Sequence, residues 1–143
     1  PADQGSQNND ESGNFQSRDP SFTSHDFLTV SLSDLLTPWE TIEKRLHCAS
    51  EADFVLCIYN PRSKKRADHL MKACDIVMEH RDENTVCGIV RNIGREGQQH
   101  RLLTLARLRD EQVDMFTTVF IGAATTQAVA GRMVTPRGYE AKR

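Results

Sequence analysis

Apolar and polar positions divide this chain into two regimes. The first 24 residues, PADQGSQNNDESGNFQSRDPSFTS, are polar apart from Ala2, Phe15 and Phe22. Such a stretch buries too little surface to offset the entropy of ordering it. It reads as a disordered leader or linker (1–24) ahead of a single domain (25–143). From Phe27 onward, short apolar runs alternate with segments of 3.6-residue periodicity. FLTVSL (27–32) predicts a strand. In TPWETIEKRLHCAS, Thr37, Pro38 and Glu40 stand in the order of a cap, a first helical residue and a capping-box partner, while Trp39, Ile42, Leu46 and Ala49 share one face. An amphipathic helix ending near Ser50 is expected. FVLCIY (54–59) is apolar throughout, the pattern of a central strand covered on both faces.

Ser63 is placed to cap a second helix, along which Ala67, Leu70, Met71, Cys74, Val77 and Met78 form a stripe. VCGIV (86–90) and TTVFIG (117–122) predict two more buried strands, and HRLLTL one further strand. QAVAGRMVTP predicts a hairpin that turns near Ala130 and Gly131. The order is β-α-β-α-β followed by a β-rich end. It implies the α/β class: a mixed, mostly parallel sheet flanked by helices.

At 143 residues the chain suits one domain with one real core. A net charge of −2 argues against general polyanion binding, so no nucleic-acid partner is expected and any cationic site must be local. No run approaches the ~20 apolar residues of a membrane helix, which leaves a cytoplasmic protein with no membrane partner as the expectation. Cys48, Cys57, Cys74 and Cys87 all fall at apolar positions without C-x-x-C spacing and read as core thiols. The five histidines lack the i, i+4 spacing of a zinc helix, so no metal site is expected.

Candidate chemistry collects in the loops that follow the predicted strands, where open α/β sheets bind ligands. These loops are SDLLT, YNPRSKKR, RNIGREG and GAATTQ. Arg62, Lys64, Lys65 and Arg66 fall near the predicted start of the second helix, where a positive partial charge already resides. Cations there disfavour an isolated helix but, together with free backbone N–H groups, suit a carboxylate or phosphate. The plainer reading is a solvated charged face. Gly94 and Gly97 form a G-x-x-G, yet a KH loop lies between helices and this one follows a strand. Neither a Rossmann nor a P-loop glycine pattern occurs. The two glycines are also what a β-β connection with positive φ would use.

HDFLTVSLSDLLTPWETIEKRL, ADFVLCIYNPRSKKR, GIVRNIGREGQ and VDMFTTVFIG…GRMVTPRGY closely resemble the C-terminal half of precorrin-3B C17-methyltransferases, a branch of the tetrapyrrole methylase family. The resemblance runs from about His25 to Tyr139. It implies an S-adenosylmethionine-dependent enzyme of cobalamin biosynthesis that methylates C17 of a corrin precursor and promotes ring contraction, working as a homodimer on a tetrapyrrole rich in carboxylates. By the family's motifs, Tyr59, Asn60, Gly88, Ile89, Thr117 and Thr118 would meet the cofactor. Ser33, Thr37, Arg62, Lys64, Lys65, Arg66, Arg91, Asn92 and Arg95 would face the substrate. Asp34 would be the acid/base candidate, although a plain turn residue before a helix reads equally well there. The family's N-terminal half, with its glycine-rich cofactor loop, has no counterpart in this sequence, so an isolated C-terminal domain is expected. The alternatives are a methylase of another ring position and a non-catalytic anion-binding or dimerisation module.

Overall fold

The computed structural model describes residues 22–23, 26–61, 67–94 and 96–136. The element order is β1 (Phe22–Thr23), β2 (Phe27–Ser31), α1 (Trp39–Glu51), β3 (Val55–Tyr59), α2 (His69–Met78), β4 (Val86–Arg91), β5 (Gln99–Thr104), α3 (Leu105–Leu108), β6 (Thr117–Ile121), β7 (Gln127–Val129) and β8 (Arg132–Val134). Five strands form the main sheet in the order β2-β3-β6-β4-β5, and β1-β8-β7 form a small second sheet. The main sheet is mixed, as expected, but it is not mostly parallel. β2 and β3 pair in parallel, whereas the β3–β6, β6–β4 and β4–β5 pairings are antiparallel.

The β-α-β-α-β run does point β2, β3 and β4 the same way, as helical crossovers require. The later strand β6 then enters between β3 and β4 in the opposite direction, and β5 returns beside β4 through a short loop. Pattern along the chain marks which segments are strands; it does not reveal that a strand arriving last takes the central place.

Period-two alternation divides the buried strand residues between two cores. Leu56, Ile58, Cys87, Ile89, Val119 and Ile121 face one cluster, which also holds Ile42, Leu46 and Ala49 of α1, Leu70, Ala73, Cys74 and Val77 of α2, and Leu105 and Leu108 of α3. Cys57, Val90 and Phe120 face the other cluster, where Met133 of β8 covers them. The central strands are therefore covered on both faces, as their unbroken apolar runs predict. The helices, however, all lie against one face, and the small sheet supplies the other cover.

Local departures follow the same logic. The Thr37–Glu40 capping box does not form, because Pro38 itself holds the N-cap in an extended conformation and leaves Thr37 one residue too early. The second helix begins at His69 with Asp68 at its N-cap, and the predicted cap Ser63 lies outside the described residues. Its buried face includes His69, Ala73 and Ile76, while Met71 is exposed. Phe22–Thr23, read from composition as leader, pairs with Met133–Val134 of β8; residues 1–21 lie outside the described residues. The predicted hairpin turns at Ala130 and Gly131, both at positive φ (52° and 77°), the geometry that suits the right-handed strand twist. Among the described residues no helix is long and apolar enough to cross a membrane.

Three cysteines are core thiols. Burial pushes Cys57 and Cys87 up to about 12, with hydrogen bonds from Thr29 and Gly122 respectively pulling the other way, and drives Cys74 higher still. Cys48 departs from the expectation: it lies on the solvent side of α1 and is exposed.

One charged side chain joins the elements at the end of the sheet where β2, β3 and β4 begin. Arg81 is buried and donates to the carbonyls of Gly122 after β6 (2.6 Å), Ala49 in α1 (3.2 Å) and Phe54 just before β3. Asp53, at φ 65° in the turn between α1 and β3, lies 3.8 Å from the Arg81 Nε and accepts from the Ala124 N–H (2.9 Å). Gly122 is obligatory beside it, since a Cβ there would come within 2.7 Å of both the Val86 carbonyl oxygen and the Thr126 Cβ. Replacing Arg81 with Met should lower unfolding stability by about 2–4 kcal/mol, because the Gly122 and Phe54 carbonyls lose this donor and the Ala49 carbonyl keeps only the Phe54 N–H. Urea unfolding followed by circular dichroism checks this, and a loss below about 1 kcal/mol would contradict it.

Candidate functional site

The ends of β2, β3 and β4 and the beginnings of β5 and β6 share one edge of the main sheet, a consequence of the pairing directions. Backbone polar groups emerge there unpaired by the ladder, and loops supply side chains to meet a ligand. A cleft of about 200 Å³ opens at this edge, lined by Tyr59, Asn60, Asn92, Ile93, Met115, Phe116, Thr117 and Thr118. The cleft brings together residues from three loops separated by up to 59 positions in the chain.

Its floor has an unusual backbone feature. Asn60 and Asn92, the residues that follow β3 and β4, both adopt left-handed φ, at 52° and 58°. Asparagine tolerates this region better than other side-chain-bearing residues, and two such positions flanking one cleft are the kind of local strain found at binding sites. Each is pinned. The Asn60 amide donates to Ser31 Oγ (3.2 Å), which also accepts the Ser33 N–H (3.2 Å), so the loops after β2 and β3 are tied together. The Asn92 N–H donates to the Phe116 carbonyl (3.2 Å), which closes the loop after β4 onto the approach to β6.

Asp114 organises that approach. Its Oδ1 accepts from the Phe116 N–H (2.9 Å) and from the Thr117 hydroxyl (2.9 Å). The Thr117 side chain is therefore committed to the turn, and Thr118 is the partly exposed partner at the cleft. Arg91 sits at the rim with its Nε 4.0 Å from Asp114 Oδ2. Exposed Met115 and Phe116 stand beside half-exposed Tyr59, giving the cleft an apolar lip.

A second group lies along the same edge, in the loop that follows β2. His69, buried at the start of α2, hydrogen-bonds through Nδ1 to the Leu32 carbonyl (2.9 Å). A carbonyl only accepts, so Nδ1 carries the proton and Nε2 is turned toward Asp34 Oδ2, 3.8 Å away. Trp39 stacks on the imidazole with ring centroids 4.4 Å apart at 21°. Asp34 therefore stands in the loop after β2, close to an oriented histidine. Leu35 and Leu36, beside it, are 89% and 97% exposed among the described residues.

Of the residues singled out from sequence, Tyr59, Asn60, Asn92, Thr117 and Thr118 line one cleft. Ser33, Asp34 and Thr37 lie in the neighbouring loop, and Arg91 is at the rim. Gly88 and Ile89 are elsewhere: they sit within β4, paired on both sides, Gly88 with Phe120 and Leu102 and Ile89 with Val119 and Arg101, and neither lines the cleft. Arg62, Lys64, Lys65, Arg66 and Arg95 lie outside the described residues. Gly94 and Gly97 hold φ 75° and 84° in the β4–β5 connection, as a turn requires, and their missing Cβ atoms would meet only open space. Sequence reading passed over His69, Ser31 and Asp114. A histidine inside an otherwise apolar helix stripe was the available signal for the first; the other two act through pairings that only the fold creates.

No protein-family model matches the chain. It is 49% identical over 115 residues to a Salmonella typhimurium protein described as "Probable cobalt-factor III C(17)-methyltransferase", a match covering 80% of this chain and 48% of that protein. A Methanocaldococcus jannaschii protein of the same description is 44% identical over 125 residues, covering 80% of this chain and 49% of the relative. Among solved structures, the methyltransferase CobJ superposes with a TM-score of 0.73 at 35% identity, over 78% of this chain and 47% of that one. The uroporphyrin III C-methyl transferase of Thermus thermophilus, at 16% identity and a TM-score of 0.53, shares the fold. The chain is similar to proteins described as C17-methyltransferases and shares the fold of the methyltransferase CobJ. It spans about half the length of the relatives it matches.

The two left-handed asparagines give a direct test of the cleft floor. Asn60→Val and Asn92→Val should each destabilise the chain by about 1–2 kcal/mol, because a β-branched residue resists positive φ, while Asn92→Gly should be nearly neutral. Chemical denaturation of the variants measures this; equal stability of the valine and glycine forms at position 92 would contradict the assigned backbone.

Proposed function

We propose that this chain is the C-terminal half of an S-adenosylmethionine-dependent C17-methyltransferase that acts on a tetrapyrrole during cobalamin biosynthesis, with ring contraction accompanying methylation. The observation that carries this reading is the 49% identity maintained over 115 residues with a C17-methyltransferase relative. The cytoplasm is its proposed setting and a homodimer its proposed assembly.

The cleft fits one wall of a cofactor site. Tyr59 offers an aromatic face, the amides of Asn60 and Asn92 offer donors and acceptors, and Thr118 adds a hydroxyl, a set suited to the amino-acid and nucleoside ends of S-adenosylmethionine. When bound, that cofactor supplies a methyl group already activated by its sulfonium. The protein's part is then chiefly to hold a nucleophilic ring carbon in line with this methyl and to keep water out. One wall achieves neither, and the exposed Leu35, Leu36, Met115 and Phe116 mark the edge that a second half would cover. Asp34, 3.8 Å from His69, is the candidate for proton movement on the macrocycle.

Arg62, Lys64, Lys65 and Arg66, with Arg91 and Arg95, are assigned to the substrate's carboxylates on charge and position in the chain. Supplied with a tetrapyrrole, the full-length enzyme should add one methyl, at C17. Changing Lys64, Lys65 and Arg66 to Gln should weaken tetrapyrrole binding about tenfold or more, an effect that fades with salt, while binding of S-adenosylhomocysteine stays within about twofold. Calorimetric titration of both ligands reads the two effects separately. Equal losses for both would remove the substrate assignment, and methylation at another ring position would overturn the proposed reaction.

A further inference from the structure

The far ends of α1 and α2 carry a cluster that the methyl-transfer reading does not use. His47 lies in the penultimate turn of α1, while Glu79 is the C-cap of α2 and His80 follows it. The packing of α1 against α2 brings His47 Nδ1 to 2.9 Å from His80 Nε2, although 33 residues separate them. The rings meet edge to face, with centroids 5.2 Å apart at 80°. One ligating atom from each of His47, Glu79 and His80 lies within 4.8 Å of the others. This end of the helices lies opposite the edge that holds the Tyr59–Asn60 cleft, because α1 begins at that edge, after β2, and ends where β3 starts.

We propose that His47, Glu79 and His80 form a surface site for a borderline divalent cation, Zn²⁺ foremost, that clasps the C-terminal ends of α1 and α2. Two imidazoles and one carboxylate are a donor set that zinc accepts with a fourth position left to water. In a tetrahedral site with bonds of about 2.0–2.1 Å, neighbouring ligand atoms stand about 3.3 Å apart. The two imidazole nitrogens are within a few tenths of that spacing, and a carboxylate oxygen of exposed Glu79 stands within 4.8 Å of the other ligand atoms.

Helix electrostatics point the same way. The last turns of α1 and α2 contain no basic residue, so compensation of the partial negative charge at these C-termini comes from outside the helices, as Arg81 provides at the Ala49 carbonyl of α1. A divalent ion between them would meet both. The expectation of no metal site rested on local spacing, and these ligands come from different helices, where spacing carries no signal.

Titration of ZnCl₂ into the metal-free chain, followed by calorimetry, tests the site. It should show one saturable Zn²⁺ per chain and a raised Tm. His47→Gln and His80→Gln should each weaken binding at least tenfold, Glu79→Gln by less, and Cys48→Ser, which removes the exposed thiol next to His47, should leave affinity unchanged. On the unsubstituted chain, long-range ¹H–¹⁵N spectra should show Zn²⁺ shifting the ring nitrogens of His47 and His80 ahead of those of the other histidines. That readout holds even if a variant folds poorly. Absence of saturable binding, binding that survives both histidine changes, or ring shifts confined to other histidines would overturn the proposal.

Discussion

Everything at the cleft depends on a constraint at the opposite end of the sheet: the buried guanidinium of Arg81. Its N–H groups serve carbonyls in α1, before β3 and after β6, so one side chain joins the α1–β3 turn to the end of β6, far from it in sequence. Burial lowers its pKa from the ordinary arginine value while the Asp53 carboxylate raises it, and the group remains a cation at any pH of interest. A buried charge is tolerable only when its hydrogen bonds are made, and here they go to three backbone carbonyls. The link matters most for β6. That strand arrives last, must insert antiparallel between β3 and β4, and is held where it ends by Arg81 and Gly122. With β6 in place, its first residues, Thr117 and Thr118, and the loop before it stand beside Tyr59, Asn60 and Asn92.

The site is therefore assembled by topology more than by local sequence. Its pieces come from loops after β3, after β4 and before β6, and two of its residues, Asn60 and Asn92, mark the points where strands turn away from the sheet at positive φ. Short hydrogen bonds through Ser31 and Asp114 fix these turns from behind. The front of the cleft, by contrast, is open and apolar at Met115 and Phe116.

Much of this was legible beforehand, and the reason differs from element to element. Leu56 to Ile58 and Val119 to Ile121 announced central strands because a strand covered on both faces has no polar alternation to offer. Ile42, Leu46 and Ala49 announced α1 by periodicity alone. Strand order was not legible, since no local pattern says that β6 separates β3 from β4. His69 was passed over because its burial depends on a carbonyl from the β2 loop and on the Trp39 ring, neither of which is near it in sequence. Gly88 and Ile89 were matched by motif, but their position within β4 places them inside the sheet rather than at its edge. The family resemblance, which covered most of the chain, is matched by relatives that are 49% and 44% identical to it over 115 and 125 residues.

Under the proposed function this chain supplies one folded wall of an active site and needs a second half for turnover. The most direct measurement supplies S-adenosylmethionine and the C17-unmethylated tetrapyrrole to the chain alone, and then to the chain mixed with the N-terminal half of a full-length relative, with product followed by mass spectrometry. The account predicts a cooperatively folded chain that forms no C17-methylated product by itself and forms it once the second half is added. Turnover by the chain alone at the rate of a full-length enzyme would contradict it.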